Sequence, residues 1–138
     1  MTLRRISPRE ARELMDQEGY AYVDVRSVPE FDAGHPEGAF NVPLLHRTSL
    51  GLTPNSDFVA VMQRAFAKEA RLILGCRAGS RSFQAANLLG RLGYSSLLDQ
   101  RAGFDGADGE PGWRQQGLPI ATAAPPDRTW SGLQEMLR

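Results

Sequence analysis

A chain of 138 residues carrying 16 lysines and arginines against 16 aspartates and glutamates has the length of one domain and no net charge, which removes the broad basic footprint of a nucleic-acid binder. At 41% hydrophobic and 23% charged residues it has the composition of a folded globular domain rather than a disordered or fibrous chain. A single cysteine, Cys76, excludes an internal disulfide scaffold, and with only His35 and His46 beside it no zinc-ligand spacing is present and no metal is expected.

In chain order, the start from Met1 to Arg5 runs into polar sequence without a signal-peptide core, and no apolar run reaches the about 18 residues of a membrane span. A cytoplasmic protein with no membrane partner is the expectation. Leu3 to Ile6 reads as an edge strand. Ser7-Pro8-Arg9-Glu10 then supplies a capping hydroxyl, a proline at the first helical position and a glutamate at the third, predicting a helix that ends near Gly19. Tyr22 to Val25 is a short strand rich in β-formers, and a second, Ala39 to Pro43, follows the turn-rich Gly34 to Gly38. His46 and Arg47 follow Pro43 in a loop that either borders a site or, the reading preferred, is plain surface. Phe58, Val61, Met62, Ala65 and Phe66 form the clearest helical stripe. Arg71 to Gly75 reads as a strand buried on both faces, Ala85, Leu88, Leu89 and Leu92 mark a helix stopping at Gly93, and Ser96 to Leu98 is a further strand. Gly103 to Gly117 reads as an irregular or mobile loop with no core-forming run. Residues 121–138 read as an Ala/Pro-rich linker and a short tail in which Trp130, Leu133, Met136 and Leu137 form a weak amphipathic turn. Strands alternating with helices imply a parallel sheet covered on both faces, with ligands at the carboxyl ends of its strands.

The segment Cys76-Arg77-Ala78-Gly79-Ser80-Arg81 lies between the most buried strand and a helix, where backbone N–H groups and a helix N-terminus converge on one point. A free thiol with a pKa near 8.5 is only a few per cent thiolate at neutrality, and such a setting shifts that balance toward the thiolate, so Cys76 is expected to be nucleophilic. Gly79 permits a tight turn, and Arg77 and Arg81 are expected to pair with an incoming sulfur or phosphorus oxyanion. Taken alone, a cysteine at a strand end is a small buried hydrophobe. Two arginines, Gly79, Ser80 and Ser82 beside it turn the balance toward function.

The order and spacing of Val23-Asp24-Val25-Arg26, Glu30-Phe31, Gly34-His35, Gly38-Ala39, Asn41-Val42-Pro43, Cys76 to Ser82, Gly103-Phe104, Gly112-Trp113 and Gly117-Leu118-Pro119 resemble the rhodanese-like family of single-domain sulfurtransferases, over about Ile6 to Ile120. The resemblance implies a three-layer α/β/α domain over residues 1–120 with a central, mainly parallel five-stranded sheet. It implies a Cys76 that takes sulfane sulfur from a donor as a persulfide and passes it on. The donor would be a small sulfur oxyanion and the acceptor a small thiol, a thioredoxin-like protein or a cyanide-like nucleophile, with no cofactor. Arg77 directly after the cysteine resembles thiosulfate-using members. Arg77, Ala78, Gly79, Ser80 and Arg81 would bind substrate, with Asp24, Arg26 and His35 in support, Arg26 pairing with Glu30 while Asp24 and His35 hold loops. A Cys76, His35 and Asp24 triad is the disfavoured reading, since a loop field ionises a thiol without a base. Two alternatives stand beside this one: a non-catalytic interaction module of the same family, and a phosphatase, whose loop is one residue longer than the four between Cys76 and Arg81. The acidic stretch Asp105 to Pro111 interrupts the family pattern and reads either as a flexible flap at the rim of the Cys76 pocket or as an inert surface insertion.

Overall fold

A computed structural model describes residues 3–138; Met1 and Thr2, the start of the segment read above against a signal peptide, lie outside it. The elements run β1 (Arg4–Ile6), α1 (Pro8–Glu18), β2 (Ala21–Asp24), α2 (Val28–Ala33), β3 (His35–Pro36), β4 (Phe40–Asn41), β5 (Leu45–Thr48), β6 (Gly51–Pro54), α3 (Phe58–Ala65), β7 (Leu72–Gly75), α4 (Ser80–Arg91), β8 (Leu97–Gln100), β9 (Ile120–Ala121), a 3-10 turn (Pro126–Arg128) and α5 (Trp130–Glu135). A five-stranded parallel sheet in the order β1-β8-β7-β2-β4 forms the middle layer.

Local sequence sets the first helix as expected. Ser7 Oγ accepts from the Glu10 N–H while the Glu10 carboxylate accepts from the Ser7 N–H, a reciprocal cap, and Gly19 ends the helix in the left-handed conformation at φ 70°. The strand period of two divides the core. Leu72 and Leu74 point to one face, where they meet Val61 and Met62 of α3, Ala85, Ala86 and Leu89 of α4, and Trp130 and Leu133 of α5. Ile73 points to the other, among Ile6, Ala11 of α1, Tyr22, Phe31 of α2, Phe104 and Trp113. All four residues of β7 are buried, as a central parallel strand requires.

Three features depart from the sequence reading. The segment around His46 and Arg47, read as loop, is the first strand of the β5–β6 hairpin, with His46 paired to Thr53 and its ring 5.4 Å from that of Trp130. The helix α2 has no counterpart in that reading, because six residues are too few to show a period. The stretch Gly103 to Gly117 contributes to the core, with Trp113 buried edge-on to Tyr22 and its indole N–H donating to the Pro119 carbonyl at 2.8 Å. After it, β9 pairs with β3, and Trp130 and Leu133 of the tail are buried.

Candidate active site

The carboxyl ends of β2 and β7 lie side by side, Asp24 opposite Gly75, with the Val25 N–H bonded to the Gly75 carbonyl at 2.9 Å. Residues leaving these two strands therefore meet at one end of the sheet. From β7 the chain turns through Cys76, Arg77, Ala78 and Gly79 into α4. The turn is backed by the segment after β8. The Phe104 N–H donates to the Cys76 carbonyl at 2.8 Å, and the Asp105 N–H to the Arg77 carbonyl at 2.9 Å. The buried Gln100 carboxamide grips both the N–H and the carbonyl of Gly103, at 2.9 and 3.0 Å. Two glycines permit the approach. Gly79 and Gly103 both have positive φ, and a Cβ on either would stand 2.3 Å from a backbone oxygen, that of Arg101 for Gly79 and that of Arg77 for Gly103.

Cys76 Sγ sits at the N-terminus of α4, where it accepts from the Gly79 N–H at 3.1 Å, and its thiol lies 3.4 Å from Ser82 Oγ. Ser82 in turn donates to the Gly79 carbonyl at 3.4 Å. A negative sulfur here has an amide donor, a hydroxyl able to rotate toward it and the positive end of a 12-residue helix. The cysteine residue is only 2% exposed, whereas Arg77, Ala78 and Ser80 of the same turn face solvent. The sulfur is thus buried beneath a turn whose outer residues face solvent.

The arginines divide their partners differently from the expectation. Arg26 does not pair with Glu30. It is buried against Asp24, donating from Nε at 3.0 Å and Nη2 at 2.8 Å, and Nη2 also reaches the Gly34 carbonyl at 2.7 Å. Glu30 is held instead by Arg81, two parallel bonds of 2.8 and 3.0 Å that tie α2 to the start of α4. Glu30, four residues on, loses Arg26 to Asp24, two residues back, because the short Asp24 side chain shares a buried strand end with Arg26, while Glu30 at the start of α2 faces α4. Arg81 therefore stands beside the loop with its guanidinium fork engaged. Arg77, the exposed member, donates from Nε to Asp105 at 2.8 Å.

Burial pushes the Glu30 carboxyl up, yet the bonds from Arg81 and Ser27 and the guanidinium charge outweigh it and lower the pKa from 4.5 to about 2. A depressed carboxyl stabilises the fold above its unfolded pKa and stops doing so as pH falls through the folded one. The melting-temperature advantage of the wild type over Glu30→Gln is accordingly expected to be constant down to about pH 4.5, to shrink below it and to vanish near pH 2. Thermal melts of both proteins across that range check it. A gap that stays constant to pH 2 means the carboxylate charge is not what Arg81 uses.

His35 is buried and stacked on Phe31 at 3.6 Å between ring centroids, with Nδ1 at 2.8 Å from the Phe31 carbonyl. No hydrogen bond among the described residues joins His35 or Asp24 to Cys76, so the arrangement is not a triad. Both hold the strand-end loops, Asp24 through Arg26 and His35 through α2. Asn41 adds to this by donating to the carbonyls of Asp24 and Arg26, both at 3.0 Å.

Two residues, Ser82 beside the sulfur and Asp99 on β8 next to Ser82, were not singled out as site members from sequence. Ser82 was legible as a helix-start hydroxyl, but its contact with Sγ depends on the helix phase. Asp99 is fully buried on β8, with Oδ2 accepting from Arg5 Nε at 2.7 Å and Oδ1 without a hydrogen-bond partner among the described residues. Burial raises its carboxyl pKa, while Ser82 and Arg5 pull the other way. Nothing local to Leu97–Gln100 signals this, since Arg5 is 94 residues away.

The expected free acidic flap is also corrected. Asp105 is bonded to Arg77 and to Arg114 Nε, the latter at 3.0 Å, and Glu110 forms a two-pronged pair with Arg101 at 2.8 and 2.9 Å. A bridge between Ala107 and Glu110 closes the turn. Of the three acidic side chains only Asp108 is exposed.

A parallel five-stranded sheet with a cysteine in a tight amide-lined turn between a central strand and a helix defines a class of α/β domain. The family model of the rhodanese-like domain matches residues 7–108. The chain belongs to the rhodanese-like domain family. Among curated proteins it is similar to rhodanese-like domain-containing protein 15, chloroplastic, of Arabidopsis thaliana, at 37% identity over 112 residues, 81% of this chain and 58% of that one. The chain thus spans less than two thirds of that relative's length. It is also similar to the thiosulfate sulfurtransferase GlpE of Haemophilus influenzae, 32% identical over 123 residues, 89% of this chain and 99% of that one. Among solved structures, the crystal structure of an M. tuberculosis protein superposes with a TM-score of 0.68 at 30% identity, covering 89% of this chain and all of the other.

Proposed function

We propose that this protein is a sulfurtransferase that moves a sulfane sulfur from a thiosulfate-like donor to a thiol or cyanide-like acceptor through a persulfide on Cys76. The observation that carries the reading is the Cys76 sulfur beneath the Gly79 N–H at the head of α4, in a turn whose rim displays the solvent-exposed Arg77. The similarity to a protein named a thiosulfate sulfurtransferase supports the donor class.

The thiolate attacks the outer sulfur of the donor. The donor's S–S bond breaks, its electron pair leaves with sulfite, and the outer sulfur stays on Cys76 as a persulfide. An acceptor nucleophile then attacks that outer sulfur, and the Cys76 thiolate departs with the electrons of the persulfide bond. The negative charge rests on sulfur throughout, and the Gly79 amide and the helix end are preorganised for it without rearrangement. No metal or organic cofactor enters either step.

Near-complete burial of Cys76 favours one rival, a non-catalytic interaction module of the same family. Intact mass after incubation with thiosulfate separates the two. A gain of one sulfur atom, removed again by added thiol with release of sulfite in the first step, is the expected result; an unchanged mass at saturating thiosulfate overturns the sulfurtransferase reading.

A further inference from the structure

A cavity of about 340 Å³ opens beside the cysteine turn, lined by Arg26, Arg77, Arg114 and Phe104 together with the carboxylates of Glu30 and Asp105. Phe104 is the residue whose amide bonds the Cys76 carbonyl, so the cavity adjoins the turn itself. Its cations are already satisfied from within the chain. Arg26 is committed to Asp24 and Gly34, and the two exposed arginines share one carboxylate, Arg77 Nε on Oδ2 at 2.8 Å and Arg114 Nε on Oδ1 at 3.0 Å. Burial nudges the Asp105 carboxyl up, but the bonds from Arg114 and Arg77 outweigh it and hold it below the ordinary range.

Each oxygen of Asp105 thus takes one arginine N–H, which is how a sulfonate-like head of a donor would engage the same pair. The side chain is not what shapes the turn. That work falls to the backbone, through the Asp105 N–H on the Arg77 carbonyl and the Gln115 side-chain amide on the Asp105 carbonyl at 2.7 Å.

We propose that Asp105 is a specificity-determining residue, an internal counter-anion that competes with anionic donors for Arg77 and Arg114. The inference rests on the sulfurtransferase reading for its consequence in turnover, but not for its consequence in binding. By occupying the arginines, Asp105 disfavours small oxyanions relative to donors that carry no charge on the leaving group. The arginine side chains are more than half exposed, 65% for Arg77 and 54% for Arg114, so the competition is modest in size and sensitive to salt.

The test is Asp105→Asn in the full chain, which keeps the shape and both backbone bonds. Sulfate, which has no sulfane sulfur to give, is the binding probe, titrated at low ionic strength while the Arg77 and Arg114 Nε–H resonances are followed. The variant is expected to bind sulfate about three- to ten-fold more tightly, the scale set by two exposed ion pairs. The KM for thiosulfate should fall by a similar factor with kcat unchanged, the KM for an uncharged organic trisulfide should not move, and the advantage should shrink at high salt. Equal sulfate affinity in the two proteins overturns the proposal and leaves Asp105 a brace for its loop. If thiosulfate loads neither protein, the sulfurtransferase reading fails by itself, and the sulfate titration still decides the role of Asp105.

Discussion

Replacing Cys76 by serine is expected to abolish sulfur transfer while leaving the fold in place. Serine preserves a hydrogen-bonding atom near the Gly79 N–H and fills almost the same volume, so the core shared with Val25, Leu74 and Ala85 stays packed. It cannot hold a persulfide, and no other cysteine exists in the chain to take over. Turnover with thiosulfate and a thiol acceptor should drop to background, while the thermal midpoint stays within a few degrees of the wild type. Appreciable turnover by a folded Cys76→Ser protein would place the chemistry elsewhere.

Asp24→Asn is expected to give the largest loss of stability among substitutions that change charge. The Asp24 and Arg26 side chains are 2% and 5% exposed, and the guanidinium also sits 4.4 Å from the centroid of the Phe104 ring. Removing the carboxylate charge leaves a cation buried without its counter-ion, a change that costs about 3–5 kcal/mol in comparable buried pairs. For a chain of this size the midpoint should fall by roughly 10 °C or more. The pair itself is a weak source of net stability, because taking two charges out of water nearly cancels their attraction. A double substitution, Asp24→Asn with Arg26→Met, is therefore expected to regain much of the loss. A single variant that melts within 2–3 °C of the wild type, a drop of less than about 1 kcal/mol, would show that water reaches the pair.

The sequence carried its information unevenly, and the reason is range. The cap at Ser7 and Glu10, the stop at Gly19 and the four-residue buried strand before Cys76 are decided by neighbours within a few positions, and each was readable. The turn from Cys76 to Arg81 was also readable as a place where amides meet a sulfur, since its composition is local. Partner choice was not. Arg26 had acidic residues two positions before it and four after, and only the placement of Arg81 against α2, 51 residues along the chain, assigns Glu30 away from it. The same holds for the stretch after Gly103. Its glycines and acids resemble a free loop when read singly, but Arg77 and Arg101 from outside it and Arg114 from within it pair with Asp105 and Glu110, and Trp113 anchors the return.

The tail illustrates a different kind of dependence. Trp130 and Leu133 lie past the residues matched by the family, yet they join the hydrophobic cluster that contains Cys76, Val61, Met62 and Tyr94. A helix of six residues has too few internal bonds to persist alone, so α5 borrows its order from α3 and, in return, shields the apolar side of the layer beneath it. Detachment of the tail would thus uncover part of the apolar face that also carries the sulfur. In the language of hydrogen exchange, the amides of α3 are expected to lose protection when α5 detaches.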